Sequence, residues 1–170
     1  MNVCSALLLA CLALACAMPA VAESADPPQE IHGMADAYEG QGVALAWAVL
    51  RGADEAATMV VVRVVADPSR YPLVAATGRN PFSQRTEPLL RATPNTGSID
   101  LRVARAHFAE LPRTELRFYG STTAAHDAPR LVVYFLGVPD TAPEFASETN
   151  LAAYLADRIA RLRATEKRGR

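Results

Sequence analysis

The sequence predicts a mainly β protein, an immunoglobulin-like β-sandwich of about seven strands closed by a C-terminal α-helix, with an α+β arrangement as the alternative. Three observations carry this expectation. Short apolar runs recur at 43–50, 59–66, 71–76, 89–92, 99–103, 116–119 and 131–138, separated by Gly52, Pro68, Gly78, Pro94, Gly97, Pro112, Gly120 and Pro129, which is the strand spacing of a sandwich or barrel. Two of those runs, 60–65 and 131–136, are apolar on nearly every residue and read as central strands with both faces covered. After them Leu151, Tyr154, Leu155, Ile159 and Leu162 repeat at helical spacing, with Asp157, Arg158, Arg161 and Arg163 on the remaining face.

Each element has its own local reason. In the first run Trp47 lies between Leu45 and Val49 on one face, with Ala44, Ala46 and Ala48 opposite. Strand periodicity therefore sends the large side chains to one layer and the small ones to another. Trp47 reads as a core anchor whose truncation is among the costliest single changes. Residues 98–103 alternate and should have one wet face. Between Asp100 and Leu111 two patterns compete, because Leu101, Ala104, Phe108 and Leu111 also share a helical face ended by Pro112. Ile99 and Val103 favour a strand first, so the expectation is a strand running into a short helical connection. Ser147 or Thr149 is placed to cap the final helix.

The amino terminus reads as an export signal. An apolar run over 3–22 ends in Ala20-Val21-Ala22, the small-x-small pattern of a signal-peptidase site, although no Lys or Arg precedes it. All three cysteines, Cys4, Cys11 and Cys16, lie inside that run. Cleavage after Ala22 therefore leaves a cysteine-free protein, periplasmic or secreted, with no disulfide, thiol nucleophile or thiolate metal site. Lipidation at Cys16 and a retained anchor are the rival readings, and either would place the protein at a membrane. The expected organisation is a cleaved signal over 1–22, an extended acidic leader over 23–42, a single β-rich domain with its helix over 43–163, and a basic tail over 164–170.

The chain carries 17 basic and 18 acidic residues, and this near-neutrality argues against a broad nucleic-acid footprint. The expected partner is another periplasmic protein or a small ligand. The basic residues around the last helix read first as cations complementing its dipole before a solvated tail.

Residue types that carry chemistry are sparse. His32, His107 and His126 are far apart and form no zinc-ligand spacing. His32-Gly33-Met34 pairs an imidazole with a thioether and is the weak candidate copper site, with copper the one cofactor considered. Because it lies in the leader, ordering that segment would consume binding energy, and no high-affinity site is expected. His126-Asp127 beside Ser121, Thr122 and Thr123 has the residue types of a hydrolase, crowded into one short loop that cannot fix a triad.

The segment 77–85 is the best recognition loop, with Arg79, Asn80, Phe82 and Arg85 as candidate ligand-binding residues between two strands. It joins two guanidiniums, an amide and an aromatic ring on a turn made by Gly78 and Asn80-Pro81. The functional expectation is an exported binding or accessory module without catalytic chemistry of its own. A copper-handling protein using His32 and Met34 is the first alternative, and a hydrolase using His126 the second.

Overall fold

The computed structural model describes residues 29–31, 37–80, 82–123, 128–136 and 142–166. In chain order their elements are β1 (Gln29–Ile31), β2 (Ala37–Gly40), β3 (Val43–Leu50), β4 (Met59–Ala66), β5 (Leu73–Arg79), β6 (Thr86–Pro94), β7 (Ser98–Ala104), α1 (Arg105–Glu110), β8 (Arg113–Tyr119), β9 (Leu131–Leu136), β10 (Glu144–Phe145) and α2 (Glu148–Glu166). The signal segment, His32, Met34 and His126 lie outside the described residues.

The strands form two sheets. Sheet A has the order β1-β9-β8-β5-β6, and sheet B has β10-β3-β4-β7 with β2 also paired to β3. The seven strands expected from the sequence correspond to β3 through β9. Lettered A to G in that order, they pair as A-B-E and G-F-C, the Greek-key connectivity of an immunoglobulin-like sandwich. Their fourth strand, β6, joins β5 rather than β7 and so becomes the edge of sheet A. The protein is mainly β, not α+β.

Two short strands come from the stretch read as a leader. β1 runs parallel to β9, with Glu30 at the register position of Tyr134, and β2 forms a hairpin with β3. The β2–β3 turn is Gln41-Gly42, with φ of 56° and 77°. Positive φ at both central residues gives the turn whose twist matches paired strands.

The main core lies between the sheets. Trp47, Val62 and Leu101 from sheet B meet Val74, Leu116, Phe118 and Leu131 from sheet A, and Trp47 is 2% exposed. Tyr71 and Phe118 sit with ring centroids 5.5 Å apart and planes tilted by 59°, an edge-to-face type of contact. The Tyr71 hydroxyl donates to the Gln41 carbonyl at 2.9 Å, so this buried ring also fastens the β2–β3 turn. Asn95, buried between the sheets' ends, donates to the Tyr71 carbonyl at 2.7 Å and accepts from the Gly97 N–H at 2.9 Å.

A second core lies outside sheet B, where α2 crosses β3. Leu151, Leu155 and Ile159 bury against Ala44, Ala46, Ala48 and Val61. The small alanine side chains let the helix approach the sheet, which is why β3 is buried on both faces. Ser147 occupies the cap position, its carbonyl accepting from the Leu151 N–H at 3.0 Å. Arg63 ties the layers together: two of its N–H groups meet the Asp100 carboxylate at 2.7 Å each, and a third donates to the Ala152 carbonyl of α2 at 3.1 Å. Asp100 thus sits mid-strand, as the salt-bridge partner of Arg63, and β7 passes into α1 at Arg105.

Candidate functional site

Arg79, Asn80, Phe82 and Arg85 lie together on the hairpin that joins β5 to the edge strand β6. Local geometry begins at Gly78. A Cβ there would stand 2.9 Å from Leu111 Cδ1 and 3.2 Å from Leu111 Cβ. The missing side chain therefore lets the residue that follows α1 pack directly on β5. That packing carries Glu110, the last residue of α1, to the base of the hairpin.

Asn80 then organises the turn. Its backbone N–H donates to the Arg85 carbonyl at 2.8 Å, which closes the hairpin. Its side-chain oxygen accepts from the Phe82 and Ser83 N–H groups at 2.9 and 3.1 Å, the Asx arrangement that lets asparagine imitate a backbone turn. Its amide N–H₂ donates to the Glu110 carbonyl at 2.8 Å, anchoring the turn to α1. Gln84 takes the left-handed region at φ 58° and accepts from Arg79 Nη2 at 3.3 Å.

Arg85 works inward. Its Nε donates to Glu87 at 2.7 Å and its Nη1 to Glu110 at 2.7 Å, and these carboxylates, Glu87 first, raise the guanidinium's pKa further above its ordinary value. His107 completes the base, with Nε2 3.2 Å from the second Glu87 oxygen. The four residues therefore divide into three that brace the loop and one that the loop displays. Phe82 is 92% exposed, the large hydrophobic side chain left in water among the described residues.

Beside the hairpin, the outer face of sheet A continues the polar surface. Register places Arg79 opposite Arg113, Thr77 opposite Glu115 and Ala75 opposite Arg117. Arg117 donates to Glu115 at 2.9 Å, which raises its pKa, and burial opposes that shift. The Arg113 guanidinium lies 3.9 Å from the centre of the Tyr134 ring, a cation–π contact.

Sequence reasoning found the loop but not its support. Glu110, Glu87 and His107 reach it only through the fold, and the one local signal was Gly78, whose role was read as part of a turn rather than as a packing notch. Of the other expected sites, His32, Met34 and His126 fall outside the described residues, and Ser121 and Thr123 hydrogen-bond to each other at 3.1 Å. Among the described residues no three His, Cys, Asp or Glu side chains converge on a metal-sized site.

Fold and site together define an immunoglobulin-like sandwich that presents one aromatic side chain on a braced hairpin. Compared with known proteins, the chain matches no family model, no curated protein and no solved structure.

Proposed function

We propose that the protein is an exported binding or accessory module that engages its partner through the β5–β6 hairpin and has no catalytic chemistry of its own. The observation that carries this reading is Phe82, 92% exposed on a loop whose backbone is fixed by Asn80. Leaving such a ring in water forgoes about 1.5–3 kcal/mol of burial free energy. A rigid loop lowers the ordering cost when the ring enters a partner's pocket, and aromatic anchors of this kind dominate binding energy at interfaces. Export, to the periplasm or beyond, rests on the Ala20-Val21-Ala22 pattern and on the confinement of all cysteines to the segment before it.

The test is photo-crosslinking in the producing cell, with a benzophenone side chain at position 82 and a control at Thr149, an exposed position in the first turn of α2. A discrete adduct from position 82 that is absent from position 149 is expected. Equal labelling at both positions, or none at 82, would overturn the hairpin as the binding edge.

A further inference from the structure

We propose that two copies of this chain pair edge to edge along β7, joining their two copies of sheet B in one antiparallel, two-fold dimer. This goes beyond the hairpin reading and does not depend on it. Among the described residues β7 is the long, regular sheet margin. It pairs with β4 alone, over 98–104 and with no break in register, and it holds no proline. The other margins are poorer templates: β6 carries two prolines and shifts register against β5, while β1, β2 and β10 have three, four and two residues. Charged side chains usually guard such a margin. In β7 they are arranged so that one partner fits, a second β7.

The peptide groups set the first condition. Arg105 donates its N–H to the Thr58 carbonyl at 2.8 Å. Peptide directions alternate along an antiparallel strand, so residues 103, 101 and 99 also turn theirs to β4, where residues 60, 62 and 64 stand opposite. Asp100 and Arg102 therefore aim N–H and C=O away from β4, toward the open side.

The side chains set the second. Ser98-Ile99-Asp100-Leu101-Arg102-Val103-Ala104 reads alike in chemistry from either end. With the two-fold axis at Leu101, Asp100 stands opposite the partner's Arg102, Ile99 opposite the partner's Val103, and Ser98 opposite the partner's Ala104. Acid meets base, aliphatic meets aliphatic and small meets small, and each Asp100–Arg102 pair can exchange both main-chain hydrogen bonds because both peptide groups face outward. Other registers fail. An axis at residue 100 or 102 sets Asp100 against Asp100 or Arg102 against Arg102, which is destabilising, and an axis between residues brings side chains of opposite faces together.

Existing ion pairs are kept. Asp100 remains with Arg63, and Arg102 holds Glu148 through Nη1 and Nη2 at 2.6 and 2.9 Å, leaving its Nε outside that grip. The outer face then runs Arg63, Asp100 and the partner's Arg102, alternating in sign across the joint. On the inner face Ile99, only partly buried at the rim of the core, gains aliphatic cover from the partner's Val103. A strand that meets itself closes at two. One strand pair buries less than the roughly 1,200 Å² of a stable complex, so the dimer is weak and forms at high protein concentration.

Sedimentation velocity of the protein purified from the producing cell, over a concentration series, should show monomer and dimer in exchange and nothing larger. Arg102→Pro removes an outward N–H and no bond to β4, so it should fold as wild type by circular dichroism and stay monomeric. Arg102→Asp sets like charges opposite each other on both sides of the axis and should weaken the dimer about tenfold. In wild type, amide exchange read by NMR should slow at Asp100 and Arg102 as concentration rises, with Leu101 and Val103 protected throughout; this readout needs no variant to fold. A monomer at every concentration, oligomers beyond two, a dimer of undiminished strength in Arg102→Asp, or exchange at Asp100 and Arg102 that ignores concentration would overturn β7 pairing. Phe82→Ser should leave the dimer unchanged; its loss there would overturn β7 pairing and leave the hairpin reading standing.

Discussion

The outer faces of the two sheets were built to different ends, and a few side chains decide which is which. Outside sheet B, Ala44, Ala46 and Ala48 leave room for a helix, and Leu151, Leu155 and Ile159 fill it. Outside sheet A, the equivalent positions carry Thr77, Arg79, Arg113, Glu115 and Arg117, and both described helices are used elsewhere. The inner faces of both sheets are mainly apolar and share one core. The outer residues determine whether a helical third layer forms on a face of the sandwich.

The largest expected effect breaks the structural side. Deleting residues 147–170 removes three buried side chains worth about 1.5–3 kcal/mol each and exposes the alanine stripe and Val61. The loss is comparable with the whole stability of a typical domain, about 5–15 kcal/mol. Calorimetry should show no cooperative melting transition for this deletion, and an unchanged one when only 164–170 are trimmed. Finer contrast comes from substitutions on the two outer faces. Ala46→Leu should overpack the helix interface and cost about 1–3 kcal/mol, while Thr77→Val on sheet A should stay within about 0.5 kcal/mol. Urea denaturation of the two variants decides it; equal costs would show that the faces are not distinct.

On the display side, Asn80→Ala removes the brace of the hairpin. It should cost about 1 kcal/mol globally and accelerate amide exchange at Phe82 and Ser83, with β3 and β4 unaffected.

The smallest effect concerns pH. The Arg102 guanidinium holds the Glu148 carboxyl below its ordinary range, and Arg51 with Arg105 does the same for Glu144. A carboxylate whose folded pKa is depressed contributes fully above its unfolded value, about 4.3, and loses that contribution as pH falls through the folded one. Stability should therefore be level between pH 7 and about 5 and decline below about 4.3. Glu148→Gln should flatten part of that decline, as read from urea midpoints at each pH.

What could be read in advance follows the same division. Strands β3 and β4 match the apolar runs 43–50 and 59–66 in full because they are covered on both sides or nearly so. In β8 only the last four residues stood out, since the charged Arg113 and Glu115 on the outer face break the apolar run. β6 was visible only over 89–92, because an edge strand with Pro88 and Pro94 lacks the usual strand composition. β1, β2 and β10 have two to four residues and are formed by pairing with neighbours that local sequence does not reveal. The hairpin residues were legible from turn chemistry. Glu110, which lies 25 residues from its partner Arg85, was not, because only the approach of Leu111 to Gly78 brings it there.

The two prolines of β6 have a consequence for the crowded fluid in which such a protein would work. Proline supplies no donor for a strand ladder, so the β6 margin of sheet A is a poor template for another chain, and the opposite margin is β1, a strand of three residues. Cross-β growth, the hazard of any exposed margin, is thereby discouraged at the edges of sheet A.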